Sequence, residues 1–277
     1  MRESFRAFVR LKAIPHHRAN MTASHSVLPR SPARWLAAPA YRLRLASTPA
    51  DIHAAQMLRF MVFNIELNEG LSQSFATCLD ADRFDTVCDH LLVEDSHRGE
   101  IIGTYRLQTG ERAASHHGYY SEREFDFAPF EPLRSEMLEL GRACIHADHR
   151  SFTVLSLLWN GISAYARQCG SRYLIGCSSL TSRDAAVGAA TYQRLLPHLA
   201  APGLRTVPLP DFACPLEVVA GNAPKTPKLL SAYLGLGARI CGAPAMDSEF
   251  GTIDFLTLVD MHEPAQARRL ARFGFDV

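Results

Sequence analysis

The stretch "EMLELGRACIHADHR", residues 136–150, decides the fold. Its aliphatic residues alternate as in a buried strand, yet Glu139 and Arg142 stand where such a strand packs apolar side chains. In a regular strand, residues three apart point to opposite faces, so the two charges would not share a site. One extra residue, a β-bulge, changes the parity and turns both to the same face. Gly141 lies between them and accommodates a bulge at least steric cost, so the bulge is expected there.

Outward from this strand the chain alternates between the two periodicities. "YRLRLAS" (41–47) alternates as a strand, and "TPADIHAAQMLRFMVFNIEL" (48–67) opens with Thr-Pro and repeats apolar residues at helical spacing. Residues 68–89 read as a loop with short helical pieces. "HLLVEDS" (90–96) and "EIIGTYRLQT" (100–109) read as strands joined by a turn at Arg98-Gly99. A polar segment with His116, His117 and Tyr119 follows, then the aromatic, proline-marked "FDFAPFEPL". Beyond the opening strand come a helix from Phe152 to Cys169, a strand "RYLIGCSSL" (172–180) and a helix over 182–199. A proline-rich connection over 201–225 leads to a helix (228–236), two strands (238–242 and 252–259) and a short basic helix (264–273). This order predicts an α/β (α+β) fold: a mixed central sheet flanked by helices.

The net charge of +1 hides an asymmetry. Seven basic residues against the single acid Glu3 make residues 1–40 a +6 tail, so the remaining 237 residues carry −5. Such a tail suits an anionic lipid surface or nucleic acid; an unstructured leader explains it as well, and Met21 offers a later start. No secretory signal and no membrane-spanning run is evident. Seven scattered cysteines without a CxxC pair suit a reducing cytoplasm. His146, Asp148 and His149 occupy one loop with no fourth ligand in view, so no metal site is expected. "GCSSL" lacks the G-x-S-x-G elbow of a hydrolase.

Several motifs together carry a family resemblance. "LRFMVFNIE" (58–66), the acids Asp82 and Asp85, "GTYRL" (103–107), "LELGRACI" (138–145) and "LLWNGISAY" (157–165) resemble, in order and spacing, two branches of the GNAT acyltransferase superfamily. One is the acyl-homoserine-lactone synthases, which share Arg-x-x-x-Phe, Asp-x-x-Asp, an arginine in the next strand and Glu-x-x-Arg. The other is the L-ornithine N-acyltransferases, once described as hemolysin-like. The second is similar further on, through "LIGCSSL", "PKLLSAYLGLGARICG" and "DSEFGTIDFLTLV". The tryptophan usual in lactone synthases is missing from "NIELNEG" (64–70).

The resemblance covers about residues 41–260 and implies a single GNAT-like domain over 41–277, with a splayed sheet that admits an acyl thioester. It implies transfer of a long, 3-hydroxylated acyl chain to the α-amine of L-ornithine, giving lyso-ornithine lipid. Other amines, such as glycine, tyrosine or a homoserine derivative, stay open, and so does a non-catalytic, membrane-active role for the tail. Acyl transfer needs a neutral amine; Glu139 is the candidate base and Tyr233, in "AYLGLGA", the candidate proton donor to the thiolate. Arg59, Asp82, Asp85, Arg106 and Arg142 are the candidate substrate-binding residues, through an arginine fork on the α-carboxylate and an acid on the cationic side chain; a buried Arg–Asp network or a Glu139–Arg142 ion pair are the plainer alternatives. The glycine-rich pyrophosphate loop of a coenzyme A user is absent from "HADHRSFTVLS". The expected donor is therefore the acyl-phosphopantetheine of acyl carrier protein, with no bound cofactor, and Arg150, Arg167 and Arg172, with His146 and His149, are the expected carrier-protein contacts. The expected location is the cytoplasm, with peripheral contact to the inner-membrane surface and no nucleic-acid partner.

Overall fold

The computed structural model describes residues 37–38, 40–217 and 225–263. Most of the basic tail and the expected helix over 264–273 lie outside them. The described strands are β1 (Ala37–Ala38), β2 (Tyr41–Leu45), β3 (Asp89–Asp95), β4 (Ile101–Thr109), β5 (Met137–Ile145), β6 (Tyr173–Leu180), β7 (Arg239–Ile240), β8 (Ala245–Asp247) and β9 (Thr252–Asp260). They form one sheet in the order β1-β2-β3-β4-β5-β6-β9-β7, with β8 also paired to β9. Every pairing is antiparallel except β5 with β6.

Helix α1 (Pro49–Phe60) starts where Thr48 and Asp51 form a capping box behind Pro49. It runs into a π-helical turn, Met61–Glu66, a widening that carries Val62 and Phe63 to the edge of the sheet's central cleft. A short helix α2 (Gly110–Ser115) follows β4, in a stretch that the polar composition marks only as loop. Helix α3 (Phe152–Gln168) lies on the opposite face from α1 and buries Val154, Leu158, Ile162 and Ala166, spaced four apart, against Leu43, Leu91, Val93 and Tyr105. Helices α4 (Ala185–Leu195) and α5 (Lys228–Leu236) pack around Ile253 and Phe255 of β9.

The bulge in β5 is present, but one position later than expected. Arg106 of β4 faces Gly141 and Thr104 faces Cys144, so Tyr105 alone opposes both Arg142 and Ala143. Arg142, not Gly141, takes the left-handed conformation, with φ +48°. That backbone costs an L-residue about 1–2 kcal/mol. It is offset here because the Arg142 guanidinium lies 3.3 Å from Asp80 and 3.4 Å from Asp82, over the rings of Tyr120 and Phe250.

Beyond the bulge β5 leaves its neighbour. Its parallel pairing with β6 covers only Met137–Glu139 against Tyr173–Ile175. At the point of divergence Gly176 presses on the Leu140 carbonyl: a Cβ there would sit 2.2 Å from that oxygen. Gly176→Ala should therefore force the strands further apart and lower stability by about 1–3 kcal/mol, read by urea unfolding. Gly141→Ala, whose Cβ would meet nothing within 4 Å, should leave stability unchanged or raise it by up to about 1 kcal/mol.

Candidate active site

The divergence of β5 from β6 opens a cleft of about 700 Å³. Its walls come from the π-helical turn, the bulged half of β5, the 120–124 segment, the N-termini of α3 and α5, and the 247–254 turn. Its lining combines apolar residues, Val62, Phe63, Leu67, Leu155 and Leu158 among them, with charged ones. This volume and composition are those of a small-molecule site.

Glu139 borders the cleft and is buried. Its Oε2 accepts from the Tyr120 N–H at 2.8 Å, and its Oε1 accepts from both the N–H and the hydroxyl of Ser121, each at 2.8 Å. Burial pushes its carboxyl up, and the Ser121 and Tyr120 N–H groups partly counter this. Oε2 keeps one lone pair for a further donor. Glu139 and Arg142 do share a face, as the bulge argument requires, but each has its own partners; the ion pair across the bulge is not formed.

The other charges named from sequence divide by depth. Arg59 is fully buried and pairs with Asp80 at 2.8 Å and Asp85 at 2.7 Å. Arg106 reaches Asp82 at 2.6 Å and Asp85 at 3.0 Å. Burial opposes ionised acids, but Arg106 and Arg142 hold Asp82, and Arg59 and Arg106 hold Asp85, below the usual carboxylate range. Arg106 and Arg142 line the cleft, whereas Arg59, Asp82 and Asp85 are not part of its lining. Those three form the floor that fixes the two cleft-facing arginines. Asp80, which sequence reading passed over, completes that floor.

Tyr233 sits on α5 beside the splay, in a cavity of about 30 Å³ with Leu140, Trp159 and Gly176. Its hydroxyl is hydrogen-bonded to that of Tyr105, which borders the cleft itself. Burial pushes Tyr233 up to about 12, so both phenols stay protonated.

The three arginines expected to meet a carrier protein do not share a surface. Arg150 stands at the cleft mouth, paired with Glu66 at 2.7 Å. Arg167 is at the far end of α3, a 17-residue helix and so about 25 Å away. Arg172 enters the opposite end of the sheet and pairs with Asp260 at 2.7 Å. In the "HADHR" turn, Nδ1 of His149 is hydrogen-bonded to the Tyr41 hydroxyl.

A cluster missed in the sequence also borders the cleft. Glu124, Asp247 and Asp254, all buried, bring carboxylate oxygens within 4.8 Å of one another. Asp254 accepts from the Thr252 hydroxyl at 3.0 Å, and Asp247 from the Phe250 N–H at 2.8 Å. Burial first, then repulsion from Asp254 and Asp247, pushes Glu124 up; burial also pushes Asp254 up, with hydrogen bonds from Ser179 and Thr252 partly countering it. Burial also raises Glu69, whose neighbour is Asp254. Asp254 stands in "TIDFLTLVD", where an acid inside a buried aliphatic strand was the available signal. Three cysteines, Cys88, Cys144 and Cys177, border the cleft as well. Burial pushes the first two up to about 12 and Cys177 well above its ordinary value.

A splayed mixed sheet, with a cleft at the splay lined by both apolar and charged residues, defines an acyltransferase of the GNAT type. A family model described as acetyltransferase (GNAT) domain matches residues 58–160. The chain belongs to the L-ornithine N(alpha)-acyltransferase family: it is 34% identical to the Brucella abortus member over 84% of this chain and 88% of the relative. It is 33% identical to the Rhodobacter capsulatus member over 83% of this chain and 93% of that one. Among solved structures, an N-acyl amino acid synthase from uncultured soil microbes shares the fold with a TM-score of 0.51 at 15% identity, covering 84% of this chain and 97% of that one. TofI, solved in a ternary complex with an inhibitor and MTA, gives 0.50 at 19%, with the same coverage.

Two stability measurements separate the floor from the cluster. Asp85→Asn leaves two buried guanidiniums short of charge and should cost about 3–5 kcal/mol in chemical unfolding at pH 7. The folded-state pKa of Asp85 is depressed, so its contribution is complete above about pH 4 and is lost as pH falls through the folded value; variant and parent should converge in acid. Glu124 has the opposite sign. Its folded-state pKa is raised, so its contribution is present below about pH 4 and is lost as pH rises through the folded value. Glu124→Gln should therefore melt above the parent at pH 8, with the gap closing toward pH 4.

Proposed function

We propose that this acyltransferase moves a long-chain, 3-hydroxylated acyl group from the phosphopantetheine thioester of acyl carrier protein to the α-amine of L-ornithine, giving lyso-ornithine lipid. The observation that carries the acceptor and the bond formed is the pair of relatives named L-ornithine N(alpha)-acyltransferase, each matched over more than four-fifths of this chain. The cleft supports it, because the reaction needs both an apolar channel and a place for a charged amino acid.

The acceptor's α-ammonium must lose a proton before its nitrogen can attack. Glu139, desolvated and with one lone pair left on Oε2, takes that proton directly or through a water. The free nitrogen then attacks the thioester carbonyl carbon beside the unpaired edge of β5, where backbone N–H groups oppose the developing oxyanion. Collapse breaks the C–S bond and forms the amide as the nitrogen gives its second proton to water; Tyr105, which borders the cleft and is hydrogen-bonded to Tyr233, supplies a proton to the departing thiolate and is reprotonated from solvent. Arg106 and Arg142 offer the α-carboxylate a positive wall. The N-terminus of α3, with Arg150 and Ser151 at the mouth, suits the phosphate of phosphopantetheine. Only Arg150 of the three arginines named for the carrier protein lies on this side, so it alone is retained for that contact.

Purified chain supplied with 3-hydroxyacyl carrier protein and L-ornithine should yield N-acyl-ornithine by mass spectrometry; acylation of a different amino acid in its place would overturn the acceptor. Glu139→Gln should lower kcat at least 100-fold. Because Gln offers an N–H where Tyr120 and Ser121 donate, unfolding of the variant must be followed alongside, and Ser121→Ala, which removes one of those bonds and leaves the carboxylate, should retain most of the rate.

A further inference from the structure

Two groups of three acids lie in or beneath the cleft wall. Asp80, Asp82 and Asp85 each lie against an arginine. Glu124, Asp247 and Asp254 do not: among the described residues no lysine, arginine or histidine forms an ion pair with any of them. They come from three separate segments and still converge within 4.8 Å. Burying like charges together is costly, so the free cluster holds protons, and a cation that arrives from outside can take their place among the converging oxygens.

Independent observations point the same way. Asp254 is only 4% exposed, and its Oδ1 has no hydrogen-bond partner. Gln108, 2% exposed and bordering the same cleft, has an unpartnered Oε1 while its Nε2 is spent on the Gly118 carbonyl. Both unmet groups are acceptors, so the missing ligand brings N–H donors. The wall carrying Arg106 and Arg142 has the opposite sign, so the cleft is bipolar and a zwitterion has one orientation in it.

We propose that Glu124, Asp247 and Asp254 receive the side-chain ammonium of the acceptor and thereby select a diamino acid over a neutral one. The proposal rests on the acyl-transfer reading and assigns the part of the acceptor that does not react. With the α-carboxylate on the arginine wall and the distal ammonium among the acids, the α-amine lies between them, on the side of Glu139. An acceptor without the distal amine leaves the cluster unpaired, and that is the stronger source of discrimination.

The test compares L-ornithine with L-norvaline, which has the same carbon chain and no side-chain amine, in the parent, Glu124→Gln and Asp254→Asn. The parent should prefer ornithine. Each variant should raise KM for ornithine at least tenfold while keeping its kcat/KM for norvaline, so the preference falls at least tenfold. Equal losses on both acceptors would overturn the proposal, because the cluster would then serve the reaction or the fold. Loss of parent turnover in EDTA, restored by Mg²⁺ or Mn²⁺, would overturn it in favour of a metal site. Calorimetric titration of the two amino acids into the proteins stands apart from turnover: parent binding of ornithine should release protons and norvaline should not, and Glu124→Gln should diminish that release. If the parent forms no N-acyl product but shows this binding difference, the reaction reading fails and the ammonium site stands; equal binding of the two amino acids removes the site.

Discussion

Strands β5 and β6 stay paired for three residues, and then Arg142 adds the extra residue that bends β5 away. Everything of functional interest hangs on that divergence. It opens the cleft, leaves a backbone edge without a strand partner, and brings Glu139 and Arg142 to one face. The left-handed backbone at Arg142 is held by its own side chain, through Asp80, Asp82 and the rings of Tyr120 and Phe250. Arg59 beneath fixes Asp80, Arg106 fixes Asp82, and Asp85 ties the two arginines together. The buried ion network is thus a geometric device: it sets where a strand leaves the sheet.

The sequence was informative where one residue's chemistry conflicts with its local pattern. Glu139 and Arg142 in an alternating strand foretold a bulge, and the apolar spacing of 152–169 foretold α3. The bulge position was not legible, because Gly141 is the cheaper place for it and the compensating contacts come from Asp80, some 60 residues away. Arg59, Asp82, Asp85 and Arg106 were legible as a charged set, but their depth was not: spacing cannot distinguish a floor from a wall. Arg167 and Arg172 read as neighbours of Arg150 along the chain, yet a straight helix carries them to the other end of the sheet. Glu124 and Asp247 lie in loop-like stretches with no periodicity to violate, so their meeting with Asp254 is a fact of tertiary structure alone.

The two carboxylate sets show how one fold gives acids opposite tasks. Asp82 and Asp85, which face arginines, are depressed in pKa and stabilising. Glu124 and Asp254, which face the cleft, are raised and destabilising at neutral pH, as expected of groups kept for binding rather than for the fold. Binding of a cation would relieve that repulsion, so the protein should be most stable when its acceptor is in place.

The cysteines along the cleft have a consequence for the acyl group itself. A thioester resting beside a thiolate is open to exchange, which would strand the acyl chain on the protein. Cys88 and Cys144, pushed to about 12, are thiolate in roughly one molecule in 10⁵ at pH 7, and Cys177, crowded by Glu124 and Asp254, is held back further. In the proposed reaction, burial and the negative charge of Glu124 and Asp254 therefore keep sulfur out of the competition, and the amine is the nucleophile that the thioester meets.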